Sequence, residues 1–591
     1  MTETGFTMPW GAQGLGDGRT AFHLWAPAAS RVEVLLDGRR RVSMVSNGDG
    51  RWQVETDCAA ATPYRFELAL ADGRTLSIAD PASRAQQGDV DSDSLVVDPG
   101  EYRWQHPEWL GRPWHEAVVY ELHVGALGGF NGVAAKLPAL AALGITAVEL
   151  MPVADFPGPH NWGYDGVLPF APDSAYGSPS DLKHLIDTAH GLGLMVLLDV
   201  VYNHFGPDGN YLHDYAPDFF KHGEATAWGG AIDFSQPEVR SFFTSNARYW
   251  LEEYRFDGLR IDAAHAIAEQ DWFPEMASAV RAHTPPGRHV HLVLEHDGNA
   301  AGLLRRGFDA QWNDDGHHAM HVLLTGEKDG YYRDYADAPA ARLARCLAEG
   351  FAYQGEASLH RDGAARGEPS AGLPPTAFVF FLQNHDQTGN RAQGERLTTL
   401  AAPAALRAAQ AVQLLAPQIP LLFMGEECNC TAPFLYFTSH RTAELAEAVR
   451  QGRRAEFAAF AATGNGAALP DPNDKATFLR SVPPHIGEQG HPSTAGVREL
   501  LTLRHRHIVP HLPDCHALGA QALGPAAVTA RWQLGPRVLV LVLNLGADPV
   551  AAPAMLLHPQ ADVLFDTGGV RDALAGGQVP GQAFAALLEP A

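Results

Sequence analysis

Positive charge is scarce in this chain. Its 591 residues hold 43 lysines and arginines against 68 aspartates and glutamates, a formal net charge of −25. That balance excludes the electrostatic grip a nucleic acid needs and favours neutral or cationic ligands. Charged residues of both signs reach only 19%, against 46% hydrophobic, which is globular rather than disordered. Cysteine is rarer still. Five, an odd number thinly spread, do not build a disulfide framework. Cys428 and Cys430 form a C-x-C with no second pair to complete a zinc site, so neither a metal nor another cofactor is expected. Long apolar runs are missing too: the most apolar stretch, 411–424, is broken by Gln413, Pro417, Gln418 and Pro420. Met1 to Gly5 show neither the basic nor the apolar region of a signal peptide. A cytoplasmic protein with no membrane partner is expected.

What is present falls into three patterns. From Thr20 to Val97 short apolar runs (22–25, 32–36, 52–54 and 64–68) alternate with Asp-Gly turns and no helical period, which predicts an immunoglobulin-like β-sandwich over 1–100. A tryptophan- and proline-rich linker follows at 101–115. The pattern then becomes apolar strand, polar loop, amphipathic helix, repeated. Strands are expected at 117–124, 145–153, 195–201, 258–263, 290–295, 309–312, 378–383 and 420–424, with helices such as 179–192 and 237–254 between them. Eight such units predict a (β/α)8 TIM barrel over 116–495, whose active site lies at the C-terminal ends of the strands. Strand-like alternation returns with Arg537 to Leu545, predicting a C-terminal β-domain over 496–591. An insert at 205–234 holds Tyr211, Tyr215, Phe219, Phe220 and Trp228. These aromatics suit ordinary packing and sugar-stacking platforms equally.

The stretch Gly258-Leu259-Arg260-Ile261-Asp262-Ala263-Ala264-His265 alternates apolar and polar side chains, so Arg260 and Asp262 share one face of a strand. An isolated pair of this kind is most simply a structural ion pair. Two further carboxylates change that reading, because Glu295 and Asp386 also close barrel strands. Retaining hydrolysis of a glycosidic bond needs one carboxylate as nucleophile and a second as protonated acid. Arg260 beside Asp262 favours an ionised nucleophile, whereas Glu295, preceded by Leu292, Val293 and Leu294, suits the acid of raised pKa. Asp386, with His385, is placed to grip sugar hydroxyls. A metal reading of the same acids stays open, since hard cations also take carboxylates.

The segments 199–204, 258–265, 294–295 and 384–386, in this order, resemble the four sequence regions of the α-amylase superfamily. The resemblance implies Asp262 as nucleophile, Glu295 as acid/base and Asp386 as transition-state stabiliser. It implies sugar contacts from Arg260, His204 and His385, with Asp199 bracing Arg260 and His265 touching the next sugar. Within the superfamily the chain is most similar to the maltooligosyltrehalose trehalohydrolase family. This is carried by Asp80-Pro81-Ala82-Ser83-Arg84, Ala310 to Asp315, Gln383 to Arg391 and Phe423 to Glu427, and Trp312 and Asp314 join the expected substrate contacts. A branching enzyme, the nearest alternative, usually shows Ser-His-Asp-Glu-Val where this chain has Asn384 to Thr388. The implied substrate is maltooligosyltrehalose or a related α-1,4-glucan, and the implied reaction hydrolyses the α-1,4 bond next to the terminal trehalose. Two departures, Cys428 in place of an aromatic residue and the short loop Ala126 to Phe130, fall where distal sugars are expected.

Overall fold

The computed structural model describes residues 8–226, 229–457, 468–488, 490–553 and 558–590. Its centre is a closed barrel of eight parallel strands, Val119–Leu122, Ala147–Leu150, Met195–Val200, Gly258–Ile261, His291–Leu294, Ala310–Trp312, Phe378–Phe381 and Ile419–Phe423. The eighth strand closes on the first, with Val119 opposite Leu421. All eight lie at the expected places; seven are cut back at one or both ends, and the eighth is shifted by one residue, 419–423 against the expected 420–424. Successive residues point to opposite faces of each strand. Val119, Ala147, Met195, Leu197, Val293, Ala310, Trp312, Val379, Phe381 and Leu421 fill the barrel interior as one cluster. Two residues further along the same face stand Glu121, Glu149, Asp199 and Glu295. The alternation that packs the core thus delivers four carboxylates to the C-terminal rim.

Before the barrel, two antiparallel sheets run in the orders Gly11–Gly16, Arg19–Trp25, Arg51–Asp57, Val45–Ser46 and Arg40–Ser43, Ala29–Leu36, Pro63–Leu70, Thr75–Ile78. They share an apolar core in which Phe22 of one meets Tyr64 of the other edge-on at 5.0 Å. After the barrel, helix Ala495–His507 lies on it. Arg504, buried on that helix, donates to the carbonyls of Leu414, Ala416 and Gln418. A five-stranded antiparallel sheet then runs from His516 to Pro590, with Arg537–Asn544 at its centre. No helix among the described residues is long and apolar enough to cross a membrane.

The insert at 205–234 resolves towards packing. Tyr215, Phe219 and Phe220 are buried, and Phe219 packs on Trp25 of the N-terminal sandwich at 5.4 Å. The half-exposed Tyr211 donates its hydroxyl to Asp91. Trp228 lies outside the described residues.

Candidate active site

One guanidinium organises the C-terminal rim. Arg260 is fully buried in the fourth strand and stacks over the Trp312 ring, 4.3 Å from its centroid. Its Nη1 donates to both oxygens of Asp199, at 2.9 and 2.8 Å, and to Asp262 Oδ1 at 2.8 Å. Its Nη2 lies 3.2 Å from Glu295 Oε2, an ionic contact not aligned as a hydrogen bond. Trp312, expected as a sugar contact, is instead buried under this guanidinium. Its face is spent on the cation, so it supports the floor of the site from within the barrel.

Arg260 also revises the reason for telling the two acids apart. The arginine touches Glu295 as well as Asp262, so its proximity alone does not separate them. Burial pushes the Glu295 carboxyl up; Arg260 pulls it back, and Asp262, Asp386 and Asp314 push it up again, to about 8. Glu295 Oε2 accepts the backbone N–H of Ala263 at 2.6 Å, which leaves Oε1 to carry a proton. Ala263 holds φ 40° and ψ 46°. This left-handed geometry costs an alanine about 1–2 kcal/mol, and here it turns the amide onto Glu295. The second Asp262 oxygen accepts from Asn203 Nδ2 at 2.7 Å.

A second chain of contacts starts in the first strand. His385 is buried between Glu121, bonded to its Nδ1, and the Tyr164 hydroxyl, 2.7 Å from its Nε2. Tyr164 donates its own hydroxyl to Asp199 Oδ2 at 2.6 Å. Burial pulls the His385 imidazole down, but Asp386 and Glu121 outweigh it and lift it to about 9. The folded chain therefore keeps a proton that an unfolded imidazole, titrating near 6.5, releases. The resulting stability is complete below that value and is lost as pH rises through about 9. Melting temperatures of Glu121→Gln between about pH 6 and 9.5 should fall less steeply than those of the parent; parallel curves would refute the linkage.

These groups open on a cavity of about 530 Å³ lined by Asn161, Trp162, Tyr164, Asp165, Asn203, His204, Asp262, Ala263, Glu295, Asp386, Asn390 and Tyr436. Its volume is in the range of small-ligand sites. Helix Ala443–Glu456, from the excursion after the eighth strand, adds Val449, Gly452, Arg453 and Glu456. His204 is held at the wall by the Tyr164 carbonyl, 2.9 Å from its Nε2. His265 lies exposed, away from this lining, with Nδ1 taking the Asp297 amide. Asp314 opens helix Asp314–Thr325 close enough to raise Glu295, and its own carboxyl is lifted to about 7 by burial. Cys428 is buried with Sγ against the Gly425 carbonyl, outside the cavity.

Sequence reasoning missed Glu121, Glu149 and Tyr164. Burial, joined by Glu121, raises the carboxyl of Glu149 well above its usual range. An acid in the middle of an otherwise apolar strand run, as in Val119-Tyr120-Glu121-Leu122, is the signal that finds the first two. The dense aromatic and amide run Asn161-Trp162-Gly163-Tyr164-Asp165 after the second strand is the signal for the third.

Known proteins resemble the chain along its length. Residues 9–83 match the model for carbohydrate-binding module 48 (isoamylase N-terminal domain), 91–228 that for the α-amylase catalytic domain, and 515–586 a domain of unknown function, DUF3459. The malto-oligosyltrehalose trehalohydrolase of Deinococcus radiodurans is 38% identical over 552 residues, covering 92% of this chain and 90% of that protein. The enzyme of the same name from Rhizobium sp. (strain M-11) is 40% identical over 79% of this chain and 80% of its own. A solved structure from Salmonella typhimurium superposes with a TM-score of 0.91 at 43% identity, over 99% of this chain and all of that one.

Proposed function

Because the chain belongs to the malto-oligosyltrehalose trehalohydrolases, within the α-amylase superfamily of glycoside hydrolases, we propose that it releases trehalose by cleaving the adjoining α-1,4 bond with retention. The observation that carries the chemistry is the bridging of Asp262 and Glu295 by the single planar guanidinium of Arg260. Such a group holds two carboxyls close together, as a retaining pair about 5–5.5 Å apart requires. Asp262, with Arg260 on one oxygen and Asn203 on the other, attacks the anomeric carbon. Glu295, protonated up to about pH 8, gives its proton to the departing glycosidic oxygen, so trehalose leaves as a neutral alcohol. The same carboxylate then takes a proton from water, which attacks the glycosyl ester and frees Asp262. Asp386 and the charged His385 beside it hold hydroxyls of the sugar ring as positive charge builds on it.

The trehalose end is favoured by the relatives' activity, and the walls fit a sugar. Trp162, Tyr164 and Tyr436 offer aromatic surface, and the acids and amides between them offer acceptors and donors. We place the protein in the cytoplasm, in keeping with five cysteines that are all buried, unpaired thiols.

Product analysis tests the substrate. Incubation with maltotriosyltrehalose should release trehalose much faster than maltotetraose yields any product. New α-1,6 branches in amylose would instead make the protein a branching transglycosylase.

A further inference from the structure

Beyond the catalytic cavity, the loop that precedes helix Ala495–His507 carries a cluster that hydrolysis does not use. His485, Glu488 and His491 each offer one ligand atom, and the three atoms lie within 4.8 Å of one another. His485 Nδ1 and Glu488 Oε1 are 2.9 Å apart, and the two imidazoles stack with centroids 5.0 Å apart and planes 26° from parallel. Two imidazoles and a carboxylate form a mixed nitrogen and oxygen donor set of the kind that suits zinc and its neighbours rather than calcium or magnesium. A tetrahedral zinc ion with ligands at about 2.0–2.2 Å holds them roughly 3.4 Å apart. The His485–Glu488 pair, at 2.9 Å, has to open by only about 0.5 Å, and no pair has to close by more than about 1.4 Å.

An independent observation lies beside the cluster. His485 and Glu488 rim a cavity of about 350 Å³ whose wall includes Glu427. Glu427 is buried. Its Oε2 accepts from the Tyr120 hydroxyl and the Gly425 amide, both at 2.9 Å, while Oε1, equally buried, has no donor. A buried carboxylate oxygen without a partner is costly, and a cation with its bound water in that cavity would supply both charge and donors. The loop is also held in place: Lys136 Nζ donates to the Ile486 carbonyl at 3.1 Å. A formal net charge of −25 raises the local concentration of any divalent cation.

We propose that His485, Glu488 and His491 bind one divalent transition-metal ion, with Zn²⁺ as its representative, beside the Glu427 cavity. This departs from the metal-free expectation drawn from composition, which weighed cysteine pairs and not this H-x-x-E-x-x-H run. The alternative is a loop in which His485 and Glu488 are only hydrogen-bonded.

The test is Zn²⁺ titration of the full chain by calorimetry after treatment with a chelator. Co²⁺ absorption provides a second readout, since tetrahedral coordination gives intense visible bands. One ion per chain is expected, with a Kd of about 10 µM or tighter. The double variant His485→Ala/His491→Ala should lose at least about a hundredfold in affinity. Glu488→Gln, which keeps the side chain's shape, should lose at least about tenfold. Absence of saturable uptake below about 1 mM, or equal affinity in parent and double variant, would overturn the proposal. Both variants change loop residues outside the core, and circular dichroism checks that they fold.

Discussion

Asp262→Ala is expected to lower kcat on a maltooligosyltrehalose by at least about 10³-fold, equivalent to about 4 kcal/mol of barrier. The loss should fall on kcat more than on KM, because the carboxylate acts on the anomeric carbon and the cavity wall is otherwise intact. The geometry around it makes the effect specific. Arg260 keeps its bonds to both oxygens of Asp199 when Asp262 is gone, so the cation is not left unpaired and the barrel floor stays assembled. Melting temperature should therefore move far less than activity. Near-normal turnover by a folded Asp262→Ala protein would remove Asp262 from the nucleophile's place.

Glu295→Gln should lose at least about 10³-fold in kcat by a different route, and pH separates the two. In the parent, kcat/KM should fall as pH rises through about 8, where Glu295 gives up its proton. In Glu295→Gln that alkaline limb should vanish, since the amide has no proton to lose in this range. A substrate whose leaving group departs without protonation, such as an aryl maltooside, should recover part of the loss in its first step. An unchanged alkaline limb in the variant would assign the acid's role to another residue. The expected pH limit depends on burial as its largest cause, so a substitution that admits water beside Glu295 should move the limb to lower pH.

How much of this was legible in the sequence follows from what each signal measures. Parallel barrel strands are buried on both faces, so their apolar runs stand out one by one, and eight of them, separated by polar loops and helical stretches, specify the closed sheet. The acids at 262, 295 and 386 were visible because each interrupts or ends such a run. Glu121 and Glu149 lie inside their runs, where a single acid marks a buried polar position but not its partner, which only the barrel supplies as His385 for Glu121 and Arg260 for Glu149. Trp312 was misplaced for a related reason: an aromatic beside a catalytic strand suggests sugar stacking, and only the side-chain direction shows that Arg260 occupies its face. The aromatics of the 205–234 insert carried the same ambiguity, and contact with the N-terminal sandwich resolved it for Phe219. Of the cavity walls, Tyr436 comes from an irregular stretch after the eighth strand, and Arg453 from the amphipathic helix Ala443–Glu456, whose period does not say which face meets the site.

Barrel closure has a consequence during synthesis. Glu121 grips His385 across 264 residues of chain, and the first strand finds its second neighbour only when the eighth, ending at Phe423, has been made. At roughly 5–20 residues per second, the ribosome needs on the order of 15–60 s to bring them together. Until then Arg260 and Asp199 can pair, but His385 has no anchor and Asp386 no fixed neighbour. Turnover therefore begins only on a finished barrel, and a chain stopped short of its eighth strand should be inert rather than partly active.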